Sequence, residues 1–139
     1  MILSACDLVM EIDFGTERPA FACRPRRSHV LEHQLNVNMF LKKCFDDTGK
    51  FFCVTVPPAK HNIVGGHVTL WNAGLLLYNM VLAGWDCSEA LVMAYGYNIS
   101  VLVEKKQAIL PKLRMDAGDI DALSRFFPIQ VEEGFHGEL

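Results

Sequence analysis

The chain has 139 residues, of which 51% are hydrophobic and 21% charged, with a net charge of −3. That length suits one domain with a sizeable core, and the composition excludes a disordered or low-complexity chain. The mild acidity excludes a nucleic-acid binder, which needs a basic face to neutralise phosphates.

Residues 1–14 form a short apolar segment carrying Asp7 and Glu11, which is wrong for a secretory leader. The five cysteines (Cys6, Cys23, Cys44, Cys53, Cys87) are odd in number and contain no C-x-x-C pair. Reduced, mostly buried thiols in a cytoplasmic protein are therefore expected. Residues 15–30, with Pro19 and Pro25, read as a loop. Arg24, Arg26 and Arg27 in it are either a solvated face or a clamp for a phosphate-bearing carrier such as coenzyme A. His29-Val30-Leu31-Glu32-His33 matches the H-x-x-E-H spacing of inverted zinc peptidases. No long helix and no third ligand are evident here, so the segment is read as a loop running into a strand.

Leu35, Val37, Met39 and Leu41 alternate with polar residues, a period of two that predicts a half-buried strand. Asp46 to Gly49 supplies turn chemistry, and Phe51 to Val56 is rich in β-formers, so the two runs predict a hairpin. Pro57 and Pro58 end it. Gly65-Gly66 then leads into Thr69–Trp85, the one long helical candidate, apolar on every side and hence expected to be enclosed. Its uncharged stretch Val68–Trp85 is near membrane-span length, but Thr69, Asn72, Gly74, Asn79 and Gly84 interrupt it, which favours a buried helix over a membrane span. Residues 89–103 predict one or two strands, 107–115 another interrupted at Pro111, and 126–133 a last one before a loose GFHGEL terminus. The expected fold is α+β: a single domain over 1–139, with an N-terminal extension and loop (1–34) and a core (35–133) in which an antiparallel sheet wraps one long buried helix.

The chemistry concentrates at the entrance to that helix. Paired glycines let a backbone approach a ligand closely, and the first helical amides would polarise a carbonyl oxygen placed against them. The same pair equally suits a plain tight turn. His61 is the candidate general base or acid, and Asn62 or Asn72 the candidates for holding a water or a carbonyl. His67, placed in the first helical turn, and Thr69 join Gly65 and Gly66 as candidate substrate contacts. Asn79 lies two turns beyond the entrance on the face of Asn72, where either amide would otherwise serve packing or an interface.

This order of elements resembles the hot-dog fold over about residues 35–115. That resemblance implies action on acyl thioesters of coenzyme A or acyl carrier protein, in homodimers or larger assemblies, with no cofactor and no metal. The run VTVPPAKHNIVGGHVTLWNAGLLLYN is similar to the long-chain acyl thioesterases of mycobacteria and their relatives, whose Gly-His pair is matched by Gly66-His67. Thr69, Asn72 and His61 stand where that family has an asparagine, a glutamate and a tyrosine. His61-x-x-x-Gly65 resembles the H-x-x-x-G of polyketide dehydratases, with Leu70 in place of the following proline. Dehydration needs an acid and a base at opposite ends of the substrate, and no carboxylate lies between Val68 and Trp85. Thioester hydrolysis is therefore the expected activity. The alternatives are a dehydratase or enoyl-thioester enzyme of lipid or polyketide synthesis, and a non-catalytic binding subunit.

Overall fold

A computed structural model describes residues 29–135. Cys6, Cys23, the arginines at 24, 26 and 27, the apolar N-terminal segment and the last four residues lie outside the described residues.

The architecture is α+β. A short 3-10 turn, Leu31–His33, precedes helix α1 (Val37–Asp47) and strand β1 (Phe51–Val56). Helix α2 (Ala73–Leu82) leads into strands β2 (Leu91–Tyr95) and β3 (Asn98–Glu104), and a short α3 (Asp119–Leu123) runs into a second 3-10 turn, Ser124–Phe126. The strands form one antiparallel sheet in the order β1-β3-β2. Phe52, Val54 and Val56 are buried on alternate positions of β1, facing β3 in a register that pairs Phe51 with Glu104 and Val56 with Ile99. The 89–103 region indeed yields two strands, joined by a tight turn at Gly96-Tyr97.

The expected strand at 35–42 is a helix. The alternation of Leu35, Val37, Met39 and Leu41 competes with a second pattern, Val37, Phe40, Leu41, Cys44 and Phe45, which has the spacing of one helical face. The second pattern prevails: Leu35 and Met39 are 91% and 67% exposed, while Leu41 and Cys44 are fully buried. Asn36 caps the helix by accepting a hydrogen bond from the Met39 amide at 3.0 Å. The hairpin predicted through Asp46–Gly49 is thus replaced by a helix-to-strand connection, and β1 pairs with β3 instead.

Helix α2 is shorter at both ends than Thr69–Trp85. It starts at Ala73, with the Asn72 side chain accepting from the Leu75 amide at 2.7 Å. It stops where Gly84 takes φ +100, with Gly84 N–H donating to Val81 and Trp85 N–H to Met80. This is the glycine-terminated C-cap that satisfies the last carbonyls. Leu76, Leu77, Met80 and Val81 are buried where α2 packs against α1 and β3, while Leu75 is 41% exposed, so the helix is covered on one side rather than enclosed. No described helix is long and apolar enough to cross a membrane.

Trp85 anchors the core. It is fully buried, stacks on Phe52 at 4.8 Å, meets Phe45 edge-on at 4.8 Å and donates its indole N–H to the Leu41 carbonyl. Each such aromatic pair contributes about 1 kcal/mol beyond its area burial. The strands expected at 107–115 and 126–133 do not form; only Gln107 makes an isolated bridge, to Trp85. Their backbone donors go to side chains instead: Arg114 and Met115 N–H to the buried Asp119 carboxylate, and Val131 N–H to Ser124 Oγ.

Candidate functional site

After β1 the chain leaves the sheet at Pro57-Pro58, where neither ring nitrogen can donate to a ladder. It makes a wide excursion and returns to α2, and the excursion is closed by a 2.7 Å hydrogen bond from Ala59 N–H to the Trp71 carbonyl. Inside it lies a pocket of about 280 Å³. Pro57, Pro58, Ile63, Val64, Val68, Leu70 and Trp71 supply an apolar wall, and Lys60, His61, Asn62, His67 and Thr69 supply the polar groups. Trp71 is 2% exposed and its indole N–H has no hydrogen-bond partner. A buried donor in that state is costly, of order 1–3 kcal/mol.

Four of the expected site residues, His61, Asn62, His67 and Thr69, line this one pocket. The other four do not. Gly65 and Gly66 form the middle of a turn closed by His67 N–H to the Val64 carbonyl. Gly66 takes φ +82, the left-handed conformation that the third position of a type II turn demands. Because α2 begins only at Ala73, neither the glycines nor His67 sit at its N-terminus, and its first amides are capped by Asn72 rather than presented to a ligand. Asn79, half-buried, donates its amide to the Leu75 carbonyl one turn back.

The second half of the site comes from a segment far away in sequence. The 3-10 turn Leu31–His33 lies against the pocket loop and is tied to it. The Glu32 carbonyl accepts from Val68 N–H (2.8 Å) and Thr69 N–H (3.3 Å), and Thr69 Oγ1 donates to the Leu31 carbonyl (3.4 Å). His33 Nδ1 donates to the Gly66 carbonyl at 2.7 Å. That bond fixes the ring so that Nε2 points at Glu32 Oε1, 3.7 Å away. The Glu32 side chain is fully buried, and neither carboxylate oxygen has a hydrogen-bond partner. His29 completes the surround: its backbone takes φ +73, its Nε2 donates to Asn98 Oδ1 at 2.9 Å, and its Nδ1 is 3.9 Å from the same Glu32 oxygen. The His67 ring meets His33 edge-on at 4.9 Å, so His67 belongs both to the pocket wall and to this cluster.

The H-x-x-E-H spacing thus gathers its own side chains without a long helix, and the third group it lacked in sequence is His67. No local signal links His67 to residue 33; only the fold brings them together. Trp71 was also missed, since inside the expected helix Thr69–Trp85 it reads as one more apolar residue.

The Cys44 and Cys87 thiols are unsuited to nucleophilic catalysis. Cys44 and Cys87 are buried and free, and burial pushes both up to about 12, with Asp47 adding to the effect at Cys44 and Asp86 at Cys87.

Comparison with protein-family models, with curated proteins and with solved structures finds no match to this chain.

Proposed function

We propose that the chain hydrolyses acyl thioesters, carried by coenzyme A or acyl carrier protein, in the pocket of residues 57–71. The observation that carries this reading is the pocket's composition: an apolar wall, to which Trp71 belongs, with His61, His67 and Asn62 on it. An acyl chain suits the apolar surface, and the Asn62 side-chain amide on the same wall suits the thioester carbonyl. His61, exposed at the pocket, takes a proton from a water as it attacks the carbonyl carbon. The C–S bond then breaks, and the thiolate leaves with that proton. Lys60 lines the same pocket and offers a positive charge to the phosphate-bearing carrier.

Two further features favour hydrolysis. No Asp or Glu is among the lining residues, and dehydration would ask for an acid and a base on opposite sides of the substrate. The similarity of the run VTVPPAKHNIVGGHVTLWNAGLLLYN to long-chain acyl thioesterases points the same way.

Thiol release from a panel of short-, medium- and long-chain acyl-CoA and acyl-carrier-protein thioesters tests this reading. Turnover of at least one class is expected. Saturable binding of these thioesters without turnover of any would replace hydrolysis by a binding role, and neither binding nor turnover would remove acyl thioesters altogether.

A further inference from the structure

We infer that Glu32, His33 and His67 form a binding site for a divalent transition metal, with zinc the best fit. One donor atom from each of the three residues lies within 4.8 Å of the others. The inference stands independently of the reaction assigned to the pocket.

The decisive group is Glu32. A carboxylate with a fully buried side chain is ordinarily held by two or three donors, and here neither oxygen has one. Its nearest neighbours make matters worse if nothing lies between them. A carbonyl can only accept, so the 2.7 Å bond to Gly66 places a proton on His33 Nδ1 and, in the neutral ring, leaves the Nε2 lone pair aimed at Glu32 Oε1. His29, with Nε2–H given to Asn98, likewise turns the Nδ1 lone pair of its neutral form towards that oxygen. At 3.7 and 3.9 Å these contacts are too long for hydrogen bonds. They are acceptors facing an acceptor, an arrangement that a cation between them resolves.

The geometry suits zinc. Zn–N and Zn–O bonds of about 2.0–2.2 Å at tetrahedral angles set donor separations of roughly 3.4 Å. The 3.7 Å between Glu32 Oε1 and His33 Nε2 is close to that, and the three donor atoms all lie within 4.8 Å of one another. Two imidazoles and a carboxylate are a ligand set that zinc accepts, and three protein ligands leave its fourth position open. The outer support is also built: the Gly66 carbonyl orients the His33 ring in the way that backbone carbonyls orient metal-binding histidines elsewhere. His67 lines the pocket, so the ion sits at the pocket's edge.

The test is direct metal binding by the full chain, purified, stripped with chelator and titrated with Zn²⁺, then with Co²⁺ as a spectroscopic probe. We expect one equivalent of Zn²⁺, and a Co²⁺ spectrum with d–d bands of a nitrogen and oxygen site and no thiolate charge transfer. Loss of an outer-shell partner typically costs 10–100-fold in affinity, so Glu32→Gln and His67→Ala, each removing a ligand, should weaken binding by roughly 100-fold or more. His61→Ala should leave it unchanged. Far-UV circular dichroism and the urea midpoint confirm that each variant is folded; the near-isosteric Glu32→Gln keeps the test valid if His67→Ala is not. Absence of stoichiometric binding by the wild type would overturn the inference, as would Glu32→Gln binding zinc as tightly as wild type, or a Co²⁺ spectrum dominated by thiolate.

Discussion

His33 and Gly66 are matched to each other: the histidine ring donates to the Gly66 carbonyl at 2.7 Å, and a Cβ on Gly66 would lie 3.1 Å from that same ring nitrogen. Gly66 also holds φ +82, which costs an L-residue about 1–2 kcal/mol. Gly66→Ala is therefore expected to lower stability by about that amount and to displace His33 from Glu32. Urea denaturation reads the first effect and zinc affinity the second. Gly65, whose Cβ would meet nothing within 4 Å, should tolerate alanine with a smaller loss.

The buried Glu32 carboxylate should make the metal-free protein less stable than it could be. A charge taken out of water without partners is a liability, and an apolar residue of similar volume removes it. Glu32→Met is expected to raise the unfolding free energy of the chelator-treated protein by about 1–3 kcal/mol, while abolishing metal binding. Matched urea curves in chelator check this. A loss of stability there would mean that Glu32 is already satisfied by its histidine neighbours.

Asn72 and Asn79 are separable by their structural duties. Asn72 caps α2, so Asn72→Ala should cost about 1 kcal/mol, and Asn72→Asp should restore most of it. Asn79 bonds only to the carbonyl one turn back, which that helix already uses. Asn79→Ala should fall within about 0.5 kcal/mol of wild type. Thermal unfolding of the three variants resolves the order.

Cys44 and Cys87 should be inert in the native protein. With both thiols raised from 9.0 to about 12, their thiolate fraction near pH 8 is far below that of an ordinary cysteine. Iodoacetamide at pH 8, read by peptide mass spectrometry, should leave both unmodified until denaturant is added. The folded state holds these protons more tightly than the unfolded chain. The stability they contribute is therefore complete below pH 9 and drains away as the pH rises towards 12. A Cys44→Ala/Cys87→Ala double variant should show a shallower fall over that range.

The sequence disclosed elements wherever one periodicity acted alone. The β-rich run of β1 and the strand-forming stretch that holds β2 and β3 are read directly, and the apolar run around α2 announces a helix. At Val37–Asp47 two periods overlap, and the choice fell to packing against α2, which no local pattern contains. The same limit applies to the site. His61, Asn62, His67 and Thr69 are neighbours in sequence and line one pocket, so local reading groups them. Glu32 and His33 carry a recognisable spacing, but their third partner arrives through hydrogen bonds to Gly66, Val68 and Thr69 that form only on folding. Asn72 looked like a pocket residue because the helix start was set too early; six residues separate Gly66 from Ala73, and the cap falls at the last of them.

Steady-state thioester hydrolysis by wild type and His61→Ala, on the best substrate of the panel, tests whether the 57–71 pocket carries the reaction with His61 as its proton-transfer group. A fall in kcat/KM of about 100-fold or more is expected, the usual contribution of a positioned acid–base group, with the urea midpoint unchanged because the ring is exposed. An unaltered kcat/KM in a folded His61→Ala would contradict it and move the chemistry away from this residue.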